Sequence, residues 1–363
     1  MTAEREIAGF ALPFTAGAAL TAYADTVLTF PPILISAIIA ICTSTLIHPK
    51  HKSLSDRTLL ALIIILGFSC GAYCSLNTLL IPSPPQHLQG KVLEFNTALK
   101  ESISRISFNN SSANSLITAL ITGDRSLLSQ EVIGSFRTSG ASHILALSGF
   151  HLGIIYSLLK ALASTLGNRY FSKTIRSTFI ILACGFYTAA TGAGPSIVRA
   201  FLFILLGETA ILSSRHRSTG TILWTALLIQ LIFNPISIRQ VGFQLSYAAM
   251  AGIVYIHPVM KAFWPDDGYG IIYKVLKRLW NSASLSISCQ IMTAPIAWIY
   301  FETFPKHFLL TNLIALPLTG LIIPAALGLL LLDKLGICPR ICIDATGLLI
   351  DCLTGSLRVI ASF

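Results

Sequence analysis

FLLTNLIALPLTGLIIPAALGLLLL, residues 308–332, runs its whole length without a charged side chain. An α-helix needs about 20 mostly apolar residues to cross the hydrocarbon core of a bilayer, so this stretch reads as a membrane helix. The rest of the chain has the same character. Of its 363 residues, 54% are hydrophobic and only 11% are charged, and the mean hydropathy is +0.74. Soluble domains carry roughly a quarter charged residues. A soluble globular enzyme, a disordered chain, a coiled coil and a disulfide scaffold are therefore excluded. The fold class expected is an all-α polytopic integral membrane protein with about 9–11 transmembrane helices, some broken or re-entrant. Candidate spans are 7–24, 28–47, 58–80, 141–166, 178–193, 196–213, 219–234, 240–258, 280–301, 308–332 and 341–361. Two of these, 178–193 and 219–234, are short.

The charge pattern orients the spans. There are 25 Lys and Arg against 15 Asp and Glu, a net charge of +10. If the spans alternate, Arg5, HPKHKSLSDR (48–57), residues 160–176, RHR (215–217) and residues 259–279 and 333–340 share one side, and they hold most of the basic residues. Basic loops stay in the cytoplasm, which places the N-terminus inside, the C-terminus outside and residues 81–140 outside. The opening MTAEREIAGF mixes acid and base, so the first apolar run is expected to remain as a helix and not to be a cleaved leader. The eight cysteines form no C-x-x-C pair and mostly sit in apolar runs, where small-residue packing is their expected role.

Outside the membrane, IPSPPQHLQG (81–90) reads as a linker. VLEFNTALKESISRIS (92–107) places apolar residues at 92, 95, 99, 103 and 106, the spacing of an amphipathic helix lying at the interface or docked on the bundle.

The chemistry concentrates in SLITALITGDRSLLSQEVIGSFRTSGASHILALSGFHLG, residues 115–153. His143, Ser148 and His151 interrupt an apolar run, where unpaired polar groups cost several kcal/mol. Gly140, Gly149 and Gly153 allow close backbone approach or a broken helix. Ser148 and His151 are three apart and share a face if the helix is continuous. A serine nucleophile is poorly supported, because residue 146 is Ala and residue 150 is Phe in place of G-x-S-x-G, and no orienting acid is identifiable. A metal site from His143 and His151 lacks a third ligand. Two readings remain: hydrogen bonds between helices, or the polar lining of a conduit. No catalytic residue, metal or cofactor is expected.

Other polar residues lie inside spans. Arg199 is a snorkelling arginine or faces a cavity. Glu208, nine residues on, falls on the opposite face. Gln244 and Ser246 bond between helices or line a pore. Gln290 and Asn312, with Pro295, Pro317 and Pro324, suggest kinked helices around a cavity. Asp344, Asp351 and Arg358 recur every seven residues on one face of the last span, as a helix-packing ion pair would.

These stretches resemble the ComEC family of polytopic competence proteins. GSFRTSGASHILALSGFHLG (134–153) is similar to its F-R-x-x-G-x-x-H and L-A-x-S-G-x-H signature, and ALITGDRSLL (119–128) to its lead-in. TGAGPSIVRAF (191–201) resembles its Gly/Pro–Ser–Arg–Ala segment, and NPISIRQVGFQLSYAAMAG (234–252) its GFQLS element. Gln290, Pro295, Asn312 and Pro317 recur at the spacing of its later helices. The likeness covers about residues 91–332.

The resemblance implies an inner-membrane channel core that moves single-stranded DNA into the cytoplasm during natural transformation. Its substrate path would involve Arg137, Gly140, His143, Ser148, Gly149, His151, Ser196, Arg199, Gln244, Ser246, Gln290 and Asn312. A single strand can thread a groove among about ten helices, whereas a duplex would need a far wider bore. Phe136, Phe150 and Phe243 flank the motifs and could stack bases. Implied partners are single-stranded DNA, the lipid bilayer, and a separate motor ATPase, DNA receptor and nuclease, with self-assembly into a homo-oligomer left open. No Walker A pattern and no H-x-H-x-D-H motif occurs. Two features common in the family are not expected here: an OB-like domain before residue 115, and a metallo-β-lactamase-like domain at the end. The expected organisation is N-terminal membrane helices (1–80), an external linker with an amphipathic helix (81–114), the channel core (115–332) and a last membrane helix (333–363). Alternatives are a polytopic membrane enzyme with a His/Ser site and a degenerate remnant without uptake activity.

Overall fold

The computed structural model describes residues 2–24, 52–76, 86–108, 110, 112–164, 170–214, 217–264, 270–302 and 306–362. They form helices α1 (Thr2–Ala24), α2 (Lys52–Leu76), α3 (Gln86–Arg105), α4 (Ala113–Thr122), α5 (Gln130–Thr138), α6 (Ser142–Leu145), α7 (Gly149–Ala163) and α8 (Tyr170–Ala190). Then follow α9 (Pro195–Leu212), α10 (Thr219–Phe233), a 3₁₀ turn (Pro235–Arg239), α11 (Val241–Ala251), a π-helical stretch (Gly252–Ile256), α12 (His257–Ala262), α13 (Ile271–Phe301), α14 (Phe308–Lys334) and α15 (Arg340–Ala361). No strand occurs among the described residues. The described residues agree with the expected all-helical class. Among the described residues, three helices, α9, α13 and α14, are long and apolar enough to cross a membrane by length and composition. The stretch 28–47 lies outside the described residues.

The chain divides into two units: Met1–Ser83 with Thr209–Ala251, and Pro84–Glu208 with Gly252–Phe363. In the first, α1 and α2 pack backbone to backbone. The sequence GFSCG (67–71) carries two glycines four apart, one helical turn, on α2. A methyl group at Gly71 would strike the Phe14 carbonyl, one at Gly67 the Phe10 carbonyl, and one at Gly17 the Phe68 carbonyl. Small residues at this spacing let membrane helices approach closely, where van der Waals contact and not water exclusion supplies the attraction. Ser218 caps α10, accepting from the Thr221 N–H at 3.1 Å while donating to Glu4 Oε2 at 2.7 Å.

In the second unit the core is built around α4. Leu116, Ile117, Leu120 and Ile121 are fully buried against Ile103 of α3, Phe136 of α5, Ile322 and Ile323 of α14, and Ile350, Leu353 and Leu357 of α15. The reading that put residues 81–140 outside gave α4 no such role. A run this short cannot cross a bilayer alone, but it can form the centre around which longer helices pack. The amphipathic helix docks: on α3, Phe95 meets Phe186 edge-on at 4.8 Å and Asn96 Nδ2 donates to the Ala190 carbonyl at 3.2 Å. A second cluster, Leu152, Ile180, Cys184 and Ile197, joins α7, α8 and α9. Where the π-helical stretch meets α13, Gly252 leaves room for the Ser288 carbonyl, beside the fully buried Ser284 and Ser288.

One expectation needs correction. Residues 141–166 are not one span, because the helix breaks at Ala146–Ser148 between α6 and α7. The Asp344, Asp351 and Arg358 stripe faces outward, and an ion pair from it joins two helices. Asp351 Oδ1 accepts from Asn110 Nδ2 at 2.5 Å, and Arg358 Nη2 lies 2.9 Å from Glu131 Oε1 of α5.

Candidate functional site

The signature segment is a succession of helix ends. Ser129 begins α5 by accepting from the Val132 N–H at 3.3 Å. Glu131 in the first turn and Arg137 in the last complement the helix dipole. At the far end the Ala141 N–H bonds to the Phe136 carbonyl at 2.7 Å and the Gly140 N–H to the Arg137 carbonyl at 3.1 Å. This is a Schellman closure, which requires a left-handed residue, and Gly140 supplies it with φ of 85°. Its conformation explains the glycine without any ligand.

The turn is tied to α14 by Thr311, whose Oγ1 donates to the buried Ser139 carbonyl at 2.6 Å. The next residue, Asn312, has a buried Oδ1 with no partner among the described residues. Arg125 closes the turn from the other side, with Nε donating to the Leu145 carbonyl at 3.0 Å. Sequence reading had counted Arg125 only as an outer charge and had passed over Thr311. Just upstream, Lys100 Nζ lies 2.5 Å from Asp124 Oδ2, and the Ser126 N–H donates to Asp124 Oδ1. The bond from Lys100, and then that from Ser126, hold the Asp124 carboxyl down at about 2.

His143 stays exposed on α6, with Nδ1 3.2 Å from the Gly140 carbonyl. Ser148 is the N-cap of α7. His151, three residues on and almost fully buried, turns Nδ1 back to accept from the Ser148 N–H at 3.3 Å. Its Nδ1 is also 3.1 Å from Ser148 Oγ. This is a capping box with histidine in the place usually held by Glu or Gln. The spacing read as one helix face is thus the spacing of a helix start. The Ile144 carbonyl faces the ring, but Nε2 lacks a partner in hydrogen-bonding geometry among the described residues. A serine–histidine contact exists, yet no carboxylate orients the imidazole as a nucleophile–base pair requires. Among the described residues, no group of three His, Cys, Asp or Glu gathers as a metal site.

Gly149 begins α7 against α9. A Cβ there would come within 2.6 Å of Arg199 Nη2 and 3.1 Å of Ala200 Cβ. The guanidinium thus lies against the first turn of α7. Arg199 is buried, lies 6.0 Å from the Phe203 ring, and has Cys289 of α13 within electrostatic reach. A second Schellman turn prepares this arrangement: the Ala193 N–H bonds to the Thr188 carbonyl and the Gly192 N–H to Ala189, with φ of 85° at Gly192. Pro195 then opens α9, a favoured first position because it has no N–H to leave unpaired. Ser196 follows, half-buried. Glu208, further along α9, is buried and accepts from Tyr156 at 2.8 Å and Ser177 at 2.5 Å, two donors not anticipated from the sequence.

The candidate residues therefore separate. Gly149, His151, Ser148 and Arg199 meet at the α7–α9 junction, while Gly140 and His143 form the preceding turn. Arg137 is exposed at the end of α5 and Gln290 is half-buried on α13. Gln244 and Ser246 belong to the first unit, where Gln244 Nε2 donates to Tyr23 Oη and the Ile238 carbonyl, each at 2.8 Å.

Known proteins are similar to the chain in sequence. The chain is 28% identical over 257 residues to ComE operon protein 3 of Bacillus subtilis, covering 69% of this chain and 30% of that protein. It is 23% identical over 263 residues to uncharacterized protein YcaI of Escherichia coli, covering 70% and 34%. It is 28% identical over 145 residues to competence protein ComA of Neisseria gonorrhoeae, covering 39% and 21%. The chain thus spans about a third or less of the length of these curated relatives. No solved structure matches it. The family profile described as Competence protein matches residues 120–363, more than half of the sequence and all of the α5–α9 junction, and the chain therefore belongs to the Competence protein family.

Proposed function

We propose that this chain is a multi-pass protein of the bacterial inner membrane and forms the core of a channel that passes single-stranded DNA into the cytoplasm during natural transformation. Family membership and the competence names of two relatives support a role in DNA uptake. The observation that carries the reading is the buried Arg199 guanidinium laid against the start of α7. A helix N-terminus attracts anions, and a fixed cation beside it attracts them more strongly. Such a charge at membrane depth is costly and marks a path for ions or substrate. Ser148 and His151 beside it offer weak hydrogen bonds that a moving strand can exchange. The DNA receptor, motor ATPase and nuclease are separate proteins in this scheme, the N-terminus is cytoplasmic and the C-terminus external.

The test is transformation in a competent host deleted for its own channel. The chain, and versions with Arg199→Lys and Arg199→Gln, are expressed at equal membrane abundance, and integration of marked DNA is counted. The expected result is restored integration by the chain, reduced integration by the lysine variant, which keeps charge but not the planar fork, and loss by the glutamine variant. Unreduced integration by Arg199→Gln would remove the phosphate role. No integration by the chain in its own deleted host would favour a remnant without uptake activity.

A further inference from the structure

We propose that the first third of α13, together with the end of α12, is a binding surface for the headgroups of anionic phospholipids. The proposal rests on the reading that α13 crosses the membrane. This helix has 31 residues, about 46 Å at 1.5 Å per residue. The hydrocarbon core is about 30 Å thick, and fitting all of α13 inside it would take a tilt near 50°, beyond the roughly 0–40° of spanning helices. Its own aromatic residues mark the two boundaries. Trp280 and Trp298 stand eighteen residues apart, about 27 Å along the axis, matching that thickness with tryptophan at both interfaces. Residues 271–279 then lie in the headgroup layer.

Their side chains sort into three faces at 100° per residue. Ile271, Ile272, Val275, Leu276 and Leu279 share one arc and are open, Ile271 at 79% and Ile272 at 73% exposure. Lys274, Lys277 and Arg278 share the next, and α13 contains no acidic residue to offset them. On the third, Trp264 from beyond α12 packs with Tyr273 and Trp280, at 6.2 and 6.1 Å between ring centres, and Lys277 Nζ lies 5.9 Å from the Tyr273 ring. Apolar residues for acyl ends, cations for phosphates and interfacial aromatics together describe an anionic leaflet surface. A DNA strand fits less well. It has no use for the exposed aliphatic arc, and the three rings that could stack on bases pack on one another instead.

The test uses the purified full chain in mild detergent, titrated with dioctanoyl phosphatidylglycerol or dioctanoyl phosphatidylcholine, with bound lipid read by native mass spectrometry. The wild type is expected to prefer phosphatidylglycerol. Lys274→Gln, Lys277→Gln and Arg278→Gln together should weaken that binding by about fivefold per cation, roughly a hundredfold in all, while Lys274→Arg, Lys277→Arg and Arg278→Lys together should retain it. Equal binding of the two lipids by the wild type, or an undiminished preference in the glutamine variant, overturns the proposal. So does loss of oligothymidylate binding by the glutamine variant with its lipid preference intact, which would assign the surface to nucleic acid. Carbonate extraction of native membranes checks the spanning reading separately: release of the wild type refutes that reading whatever the lipid titration gives.

Discussion

His151 has one structural duty and, in the proposed function, a second. Nδ1 caps α7 through the Ser148 N–H, a contact of the kind whose removal costs about 1 kcal/mol. Nε2 is buried without a hydrogen-bond partner among the described residues, and the proposal makes it the atom that meets the substrate. His151→Gln keeps an acceptor for the cap, whereas His151→Ala removes both the cap and a buried ring. We therefore expect His151→Gln to lose less than about 1 kcal/mol and His151→Ala about 2–3 kcal/mol, read from thermal unfolding in detergent. Transformation by His151→Gln then decides the second duty: loss assigns it to the imidazole, and full activity leaves His151 a capping residue. The capping role was hidden in the sequence because the box usually ends in Glu or Gln, so S-G-F-H looked like the interior of one long helix. Gly140 was easier to place as a special backbone position, but the sequence did not say that a Schellman turn was the reason.

Among the elements, the α1–α2 pair depends on glycines. Gly71→Leu drives a side chain into the Phe14 carbonyl, with no space for relief because backbone and not a flexible chain stands there. Destabilisation of more than about 2 kcal/mol is expected, seen as a lowered unfolding temperature and reduced membrane abundance. The same substitution at Gly134, which has open space around it, should be mild. Between α3 and the loop after α4, the Lys100–Asp124 pair gives a pH signature. The carboxyl is held below its ordinary value, so its stabilisation is present above about pH 4 and disappears as the pH falls toward 2. Lys100→Met should flatten the acid loss of stability in that window and lower neutral stability by a matching small amount. Solvent screening limits the whole effect to under about 1 kcal/mol, because both side chains are partly open. Periodicity made α3 legible, including its two possible placements. It failed for α4, whose ten residues are too few to span and whose burial follows only from the helices packed around it.

At the scale of the whole molecule, hydropathy made the helical class plain, because 54% hydrophobic residues with 11% charged fit few other folds. The number of crossings was less legible. Among the described residues, four further apolar helices, including α7 and α10, have only 10–17 residues in their apolar part, and length alone does not decide whether each crosses. Charge supplies an independent guide. With most Lys and Arg on one predicted side, a phosphatase fused after residue 110 should be active outside the membrane, and a fluorescent protein fused after residue 336 should fluoresce inside. The reverse pattern would mean that the chain inserts in the opposite orientation or that an odd number of the predicted crossings before residue 110 is wrong.

The contact between Gly149 and Arg199 joins two positions fifty residues apart into one heritable unit. A side chain at 149 would have to displace the end of the Arg199 side chain and would still meet Ala200 Cβ, so its effect depends on the residue at 199. Neighbours in contact commonly deviate from additivity by 0.5–3 kcal/mol. Lineages should then cross from one viable pair to another more readily by way of position 199 first.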